Sequence, residues 1–152
     1  MSYTTVINAI DTILKTATGV DSNTVYKYER YAADELCYIN SFKDSNNKIH
    51  GYMITRRSVE SVPEASRVNH VMTTWIIRGF YGLASSGATE NTTFQPLLDV
   101  ISGKFKDDPR LGNTVLTSSP LQIDRIENLM FGDVLVHFAE MRLVTEEEES
   151  FT

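Results

Sequence analysis

The side chains best suited to catalysis or metal binding in this sequence are three histidines and one cysteine: His50, His70, His137 and Cys37. Histidines that bind zinc from one helix stand about four residues apart, whereas these three are widely separated. Cys37 has no cysteine partner for a zinc site, and its strand-like surroundings favour packing over a nucleophilic role. From this spacing we expect no catalytic residues, no metal site, no bound cofactor and no enzymatic activity.

The histidines are better explained by packing. His137 alternates with Leu135, Ala139 and Met141 on one face of a predicted strand, which is typical of a histidine in a core or an interface. The stretch Gly82–Gly87 lacks the spacing of a nucleophile elbow, and no phosphate-binding or dinucleotide-binding motif occurs in the sequence. A catalytic site would need the fold to bring these distant side chains together.

Composition and length indicate one soluble domain. The 152 residues are 41% apolar and 22% charged, and a chain of this size buries most of its surface around one core. No apolar run approaches the roughly 18 residues needed to cross a bilayer, and Met1–Val20 lacks the features of a secretory signal, so we expect no membrane partner. The lone cysteine cannot form an internal disulfide, which fits a reducing cytoplasm.

Negative charge is concentrated at the end of the chain. The net charge is −6, and four glutamates follow one another at Glu146–Glu149. Because chain ends fray and like charges repel, we expect a domain over residues 1–145 and a mobile acidic tail over 146–152. The local basic signals, Arg56-Arg57 and Lys104/Lys106, supply too little positive charge for tight, sequence-reading nucleic-acid binding.

Apolar periodicity predicts a helix followed by several strands. Between Tyr3 and Ala17, apolar residues recur at steps of three and four, and the pattern stops before Gly19. The stretch Ser58–Ser66 contains Pro63 and shows neither the helical nor the strand period, so it is predicted to be a loop. Alternating β-forming residues predict four strands, at Thr24–Tyr31, Leu36–Phe42, Ile49–Thr55 and Arg67–Tyr81.

A second helix is predicted after the fourth strand. Thr92 and Thr93 suit a helix N-terminus with Pro96 in the first turn. The apolar stripe of this helix consists of Phe94, Leu97, Leu98, Ile101 and Phe105. Such a stripe is typical of a helix that packs on a sheet.

Two further strands form a closing hairpin. They are predicted at Thr114–Glu127 and Asp133–Thr145, joined by Asn128–Gly132. The complete prediction is a single α+β domain in the order α-β-β-β-β-α-β-β. Its sheet is antiparallel or mixed, has about five to six strands, and is packed by the two helices.

Three connections are candidate docking surfaces, because loops carry much of the binding in proteins and an exposed apolar connection is unusual in a monomer. The first is the polar tip of the hairpin between the second and third strands, the second is the small-residue loop before the second helix, and the third is the apolar connection of the closing hairpin. Their candidate residues are Lys43, Asp44, Asn46 and Lys48; Leu83 and Ser85; and Leu129, Met130 and Phe131.

The order of these elements resembles the tail terminator, or tail completion, proteins of long-tailed bacteriophages. Four segments that span most of the chain carry the resemblance. They are the opening stripe Val6–Ala17 with Gly19-Val20, the strand Thr74–Gly79, the stretch Leu97–Ile101 leading into Leu111-Gly112, and the final strand Gly132–Val144. The hairpin Leu36–Thr55 and the stretch Ser58–Ser66 have no counterpart that we can assign.

The resemblance implies a structural protein of the virion, assembled in the host cytoplasm. It implies a homo-oligomeric ring, expected to be a hexamer, that ends growth of the tail tube and joins the tail to the head. The implied partners are further copies of the chain, the tail tube protein and a head completion or connector protein, with DNA passing through the ring without sequence recognition. An acidic balance suits such a channel, since negative walls repel DNA.

Other classes of protein remain open on the sequence alone. Another ring-forming subunit of the neck, or head–tail connector, would have a similar composition. A small α+β binding domain or enzyme unrelated to phages would need His70, His137 or Cys37 to converge with carboxylates in one cavity. A dimeric interaction protein would differ from a ring subunit in its number of copies.

Overall fold

Over the described residues, the chain folds as an α+β domain with two helices and a six-stranded mixed sheet, the class that the sequence predicts. The computed structural model describes residues 3–28, 42, 49–82, 88–131 and 134–150. Its elements are α1 (Tyr3–Thr16), a 3₁₀ turn (Ser22–Thr24), β1 (Val25–Tyr26), β2 (His50–Ala65), β3 (Val68–Gly82), α2 (Ala88–Asp107), β4 (Thr117–Ser118), β5 (Gln122–Phe131) and β6 (Val134–Ser150).

The sheet is built around β3, which pairs with β2 on one side and β6 on the other, both antiparallel. β1 adds to β2 in parallel, and β4 and β5 both pair antiparallel with the outer edge of β6. β3 is apolar on both faces, so its central place agrees with the prediction from its sequence.

The main core lies between the two helices and one face of the sheet, which we call the helix face. The helix side chains in this core include Ile10 and Leu14 of α1 and Leu98 and Ile101 of α2. Each large apolar side chain buried here contributes about 1.5–3 kcal/mol. The sheet contributes Tyr52 and Ile54 from β2, Trp75 and Ile77 from β3, and Ala139, Met141 and Leu143 from β6.

A smaller apolar cluster lies on the opposite face of the sheet, which we call the far face. Phe42, Met53 and Phe80 pack there with Val136 and Phe138 of β6. The strand period places these side chains away from the helices, because neighbours along a strand point to opposite faces. β3 therefore contributes to two separate apolar clusters.

Both helices have the apolar stripes that the sequence predicts. α1 ends at Thr16, shortly before Gly19, whose φ of 100° marks the turn out of the helix. α2 starts earlier than predicted: its first residue is Ala88, so Pro96 lies inside the helix and not in its first turn. The residues before Thr92 include the good helix formers Ala88 and Glu90, which allow the helix to extend upstream.

Two predictions about the strands are wrong because they relied on local pattern. Ser58–Ser66 was predicted to be a loop, but β2 continues to Ala65. Its residues pair with β3 as far as Val68, with irregularities near Arg57 and Glu64 that accommodate extra residues. A neighbouring strand that offers backbone hydrogen bonds has outweighed the weak strand signal of this polar stretch.

The acidic segment is also a strand. Residues 146–150 belong to β6 and pair with β3, Glu146 with Met72 and Ser150 with Val68. The predicted frayed tail is therefore wrong over 146–150, and only residues 151–152 lie outside the described part of the chain. Like-charge repulsion is reduced because successive glutamates point to opposite faces of the sheet.

The closing hairpin differs from its predicted boundaries. The stretch Thr114–Glu127 is split into β4 and β5 around Pro120, which has no backbone N–H to give to a ladder. Leu129, Met130 and Phe131 were predicted to lie in a connection but form the end of β5, paired with β6. Of the predicted strand Thr24–Tyr31, Val25–Tyr26 form β1.

Candidate interaction surface

The most distinctive feature of the fold is the length of its three central strands. β2 is buried from His50 to Ile54, whereas every residue from Arg56 to Ala65 is exposed. The β2–β3 hairpin and the end of β6 thus extend past the layer of helices. We call residues 56–74 and 144–150 the β-arm.

On the helix face, a groove of about 190 Å³ lies where the β-arm meets the start of α1. The rings of Tyr3 and Trp75 stack with centroids 5.7 Å apart, and the Arg56 guanidinium lies 4.9 Å from the centre of the Tyr3 ring. Glu147 and Glu149 also line this groove. It therefore combines an aromatic wall with one cation and two carboxylates.

Two polar side chains of β6 are buried beside this groove. The indole Nε1 of Trp75 donates a hydrogen bond of 3.0 Å to Oγ1 of Thr145, and both residues are almost fully buried. Glu147 is 7% exposed, and this burial raises the pKa of its carboxyl, with a further increase from the charge of Glu149. One glutamate of the acidic run, Glu147, is thus buried in the fold.

The far face of the β-arm is acidic at its tip. Both ring nitrogens of His70 contact carboxylates, with Nε2 3.1 Å from Oε2 of Glu64 and Nδ1 3.0 Å from Oε1 of Glu146. Glu60 and Glu148 lie on the same face by strand register, paired with Met72 and His70. We call Glu60, Glu64, Glu146 and Glu148 the tip patch.

The far face is basic where the β-arm joins the domain. A groove of about 530 Å³ there is lined by Thr55, Arg56, Arg57, Ile76, Arg78 and Glu140. Nε of Arg78 lies 3.3 Å from Oε2 of Glu140, and Nε of Arg142 lies 3.4 Å from Oδ2 of Asp124. Arg142 pairs with Ile76 in the ladder and so borders this groove. We call Arg57, Arg78 and Arg142 the root patch.

Apolar side chains are exposed along the β-arm. Val59 lies on its helix face, and Val62 and Met72 lie on its far face; these three side chains are 47%, 44% and 39% exposed. The arm also has an open edge, because beyond Met53 no strand among the described residues pairs with the outer side of β2. Exposed apolar groups next to an unpaired strand edge are typical of surfaces that contact other proteins.

The predicted docking residues are only partly covered by the described structure. Met130 is 58% exposed at the end of β5, whereas Leu129 is half-buried against the far-face cluster. Phe131 is the last residue of β5. The other six lie outside the described residues: Lys43, Asp44, Asn46, Lys48, Leu83 and Ser85.

The histidines do not converge in the structure. His50 is buried, with Nε2 3.0 Å from the Tyr52 hydroxyl, while His137 stacks on Phe94 of α2 at the helix face. His70 lies on the far face, and eleven register positions along β3, or about 36 Å, separate it from the position opposite His137. Cys37 lies outside the described residues.

The described residues contain no cluster of three or more His, Cys, Asp or Glu arranged to hold a metal ion. Neither described helix has the length and apolar character needed to cross a membrane.

Sequence reasoning missed the β-arm. Arg56-Arg57 stood out as a basic pair, but Arg78 and Arg142 are distant in sequence and meet them only through strand register. One signal was present: Val59 and Val62 in the predicted loop are β-forming residues. The run Glu146–Glu149 carries no strand signal of its own.

Comparison with known proteins adds no assignment, since no protein-family model matches this chain and no curated protein matches it significantly.

Proposed function

We propose that this protein is a structural subunit of a homo-oligomeric ring, expected to be a hexamer, at the head-proximal end of a phage tail. In this role it ends growth of the tail tube and provides the surface that joins tail to head. Its partners are further copies of itself, the tail tube protein and a head completion or connector protein. DNA passes through the lumen without being read.

The observation that carries the proposal is the β-arm, an extension with exposed apolar side chains, opposite charges at its two ends and, beyond Met53, an outer β2 edge that pairs with no strand of the described chain. A monomer gains little from such an extension, because it buries few side chains while its strands lose conformational entropy. An assembly subunit gains a surface that becomes buried between copies.

The order of elements also supports the proposal. A helix, strands, a second helix and a closing hairpin follow one another in the described residues, as they do in the family that the sequence resembles. The net charge of −6 suits a channel for DNA, since negative walls repel phosphates.

The enzyme alternative receives no support from the described site geometry. It required His70, His137 or Cys37 to meet carboxylates in one cavity. His70 does contact two glutamates, but it does so on the half-exposed far face, while His137 packs against Phe94 on the other side of the sheet.

The test is the solution mass of the purified full chain, measured by light scattering over a wide range of protein concentration and followed by electron microscopy of any large species. We expect a species near six chains, about 103 kDa from six times 17.1 kDa, or rings that form as concentration rises. A protein that stays monomeric at every concentration, or that forms only a stable dimer, would contradict the proposal.

A further inference from the structure

The far face separates positive and negative charge along the three central strands. Within the described residues, the carboxylates that contact the root patch, Arg57, Arg78 and Arg142, are those of Glu140 and Asp124. The tip patch places four glutamates around one histidine, His70. The root therefore has an excess of positive charge and the tip an excess of negative charge.

The two patches neutralise each other only in part within one chain, because their nearest members are slightly more than one screening length apart. Three positions along β2 separate Arg57 from Glu60, and four along β6 separate Arg142 from Glu146, which correspond to about 10 Å and about 13 Å at the rise of a strand. Charges are screened over about 8 Å at physiological ionic strength. The exposed members Arg57, Glu60 and Glu148 can therefore attract oppositely charged groups on another molecule.

We propose that the tip patch of one copy docks on the root patch of the next copy. This inference rests on the proposed ring and names the contact between its subunits. Each copy presents its tip to one neighbour and its root to another, so the contact is head-to-tail, and head-to-tail contacts that close by rotation produce a ring. The arm of each subunit then lies along the far face of its neighbour.

A second copy of the chain fits this face better than other partners. It brings the glutamates of its tip to the arginines of the root, and Val62 and Met72 on the arm supply apolar area near the tip charges. A nucleic acid in the 530 Å³ groove of the root patch would place its phosphates near Glu140, which lines that groove, and near Glu60, three positions from Arg57. An acidic protein would neutralise the root and leave the tip exposed.

Charge reversal in the full-length protein tests the contact. The root variant is Arg57→Glu, and the tip variant is Glu60→Lys with Glu148→Lys; all three positions are exposed, and these changes leave the His70 contacts in place. Each variant alone should raise the concentration needed for assembly about tenfold or more, because like charges then face each other. An equal mixture of the two variants should assemble like the wild type, and so should a chain that carries all three changes.

Matched controls place the same charge changes elsewhere. Arg110→Glu in the loop after α2 and Asp99→Lys on the exposed side of α2 should leave assembly unchanged. Circular dichroism shows whether each variant is folded, and the rescue by mixing excludes misfolding as the cause of a loss.

The outcomes separate this inference from the ring itself. If the wild type forms rings and the root and tip variants assemble equally well, or if mixing does not rescue them, the proposed contact is wrong and the ring proposal stands. If the wild type forms no ring, both are wrong. Assembly that weakens as salt rises from about 0.05 M to about 0.5 M would agree with a contact between charged patches.

Discussion

At the scale of single residues, the end of β6 shows how polar groups are accommodated near the core. Thr145 is fully buried and accepts a hydrogen bond from the Trp75 indole, while the neighbouring carboxylate of Glu147 is buried at a cost that appears as a raised pKa. A hydrogen-bonded buried group stabilises the fold, whereas removing a carboxylate charge from water opposes folding. Removing the hydroxyl of Thr145 should therefore lower stability, whereas neutralising Glu147 should raise it near neutral pH.

Replacing Thr145 by valine should lower the free energy of unfolding by about 1–3 kcal/mol, because the shape is kept while the Trp75 N–H loses its acceptor in a buried site. Denaturant unfolding measures this loss. The same substitution at the exposed Thr117 of β4 is the control and should change stability by no more than about 0.5 kcal/mol. Equal stability of the Thr145→Val protein and the wild type would show that the hydrogen bond contributes nothing.

Glu147 makes stability depend on pH in a defined direction. Its pKa is raised above the ordinary 4.5 in the folded protein, so the folded state binds this proton more tightly than the unfolded chain does. Its contribution to stability is therefore greatest at low pH and declines as the pH rises from 4.5 through the folded-state pKa. The variant Glu147→Gln lacks this decline. The difference between its free energy of unfolding and that of the wild type should therefore increase, in favour of the variant, from pH 4.5 to neutral pH.

The exposed neighbour Glu148 provides the comparison for that experiment. Glu148→Gln makes the same chemical change on the opposite face of the strand, where the side chain is in solvent. Its unfolding free energy should follow the wild-type pH profile. If the profile of Glu147→Gln also runs parallel to the wild type, the burial of Glu147 has no effect on stability.

At the scale of secondary structure, close packing between strands limits which residues the sheet accepts. Gly79 of β3 lies opposite Tyr52 of β2, whose ring is fully buried over it. A Cβ atom at position 79 would lie 2.9 Å from Cε1 and 3.1 Å from Cδ1 of that ring. By contrast, a Cβ added at Gly103 in α2 would meet nothing within 4 Å.

Gly79→Ala should therefore destabilise the protein by about 1–3 kcal/mol, because a ring held on all sides has little room to move. Gly103→Ala should stabilise it by about 0.5–1 kcal/mol, since alanine loses less backbone entropy in a helix. Thermal or denaturant unfolding of the two variants measures both effects. Changes of the same sign in the two proteins would contradict this account of the sheet.

The acidic end of β6 is expected to hold the β-arm together. Deleting residues 146–152 removes the partner of Val68–Met72 in β3, whose backbone groups then face water. Amide hydrogen exchange should become faster in Val68–Met72 and stay slow in Ile76–Phe80, which keep their pairing with Phe138–Arg142. Unchanged exchange at Val68–Met72 would show that the acidic segment does not support the arm.

At the scale of the whole molecule, the fold divides into a compact part and an extension. The helices cover one face of the sheet around Ile54, Ile77 and Met141, while the β-arm carries charge and exposed apolar groups past them. The buried core that stabilises the fold thus lies in one region, and the exposed charged and apolar groups of the β-arm lie in another. In the proposed ring, binding between copies would add to the stability of the domain.

The thermal midpoint of the wild-type protein should therefore rise with protein concentration, because assembly binds the folded state and not the unfolded chain. Arg57→Glu, which reverses one charge of the root patch, should show a weaker dependence on concentration. Differential scanning calorimetry over a wide concentration range measures this. A midpoint independent of concentration in the wild type would indicate that the folded chain does not associate.

Local sequence pattern was enough to predict the two described helices, the two-faced central strand β3 and the α+β class. These elements have apolar residues at a regular period, such as Ile10 and Leu14 in α1 or Trp75 and Ile77 in β3. The spacing of these residues within one segment is enough to show which face of that segment is buried.

Pairing with β3 makes strands of Ser58–Ala65 and Glu146–Ser150, and it brings the arginines and glutamates into two patches. Neither segment has a strong strand pattern, and each is extended because β3 offers it a ladder of backbone hydrogen bonds. The patches depend on which residues the register places side by side. Register is set by pairing between strands far apart in sequence, which no local pattern encodes.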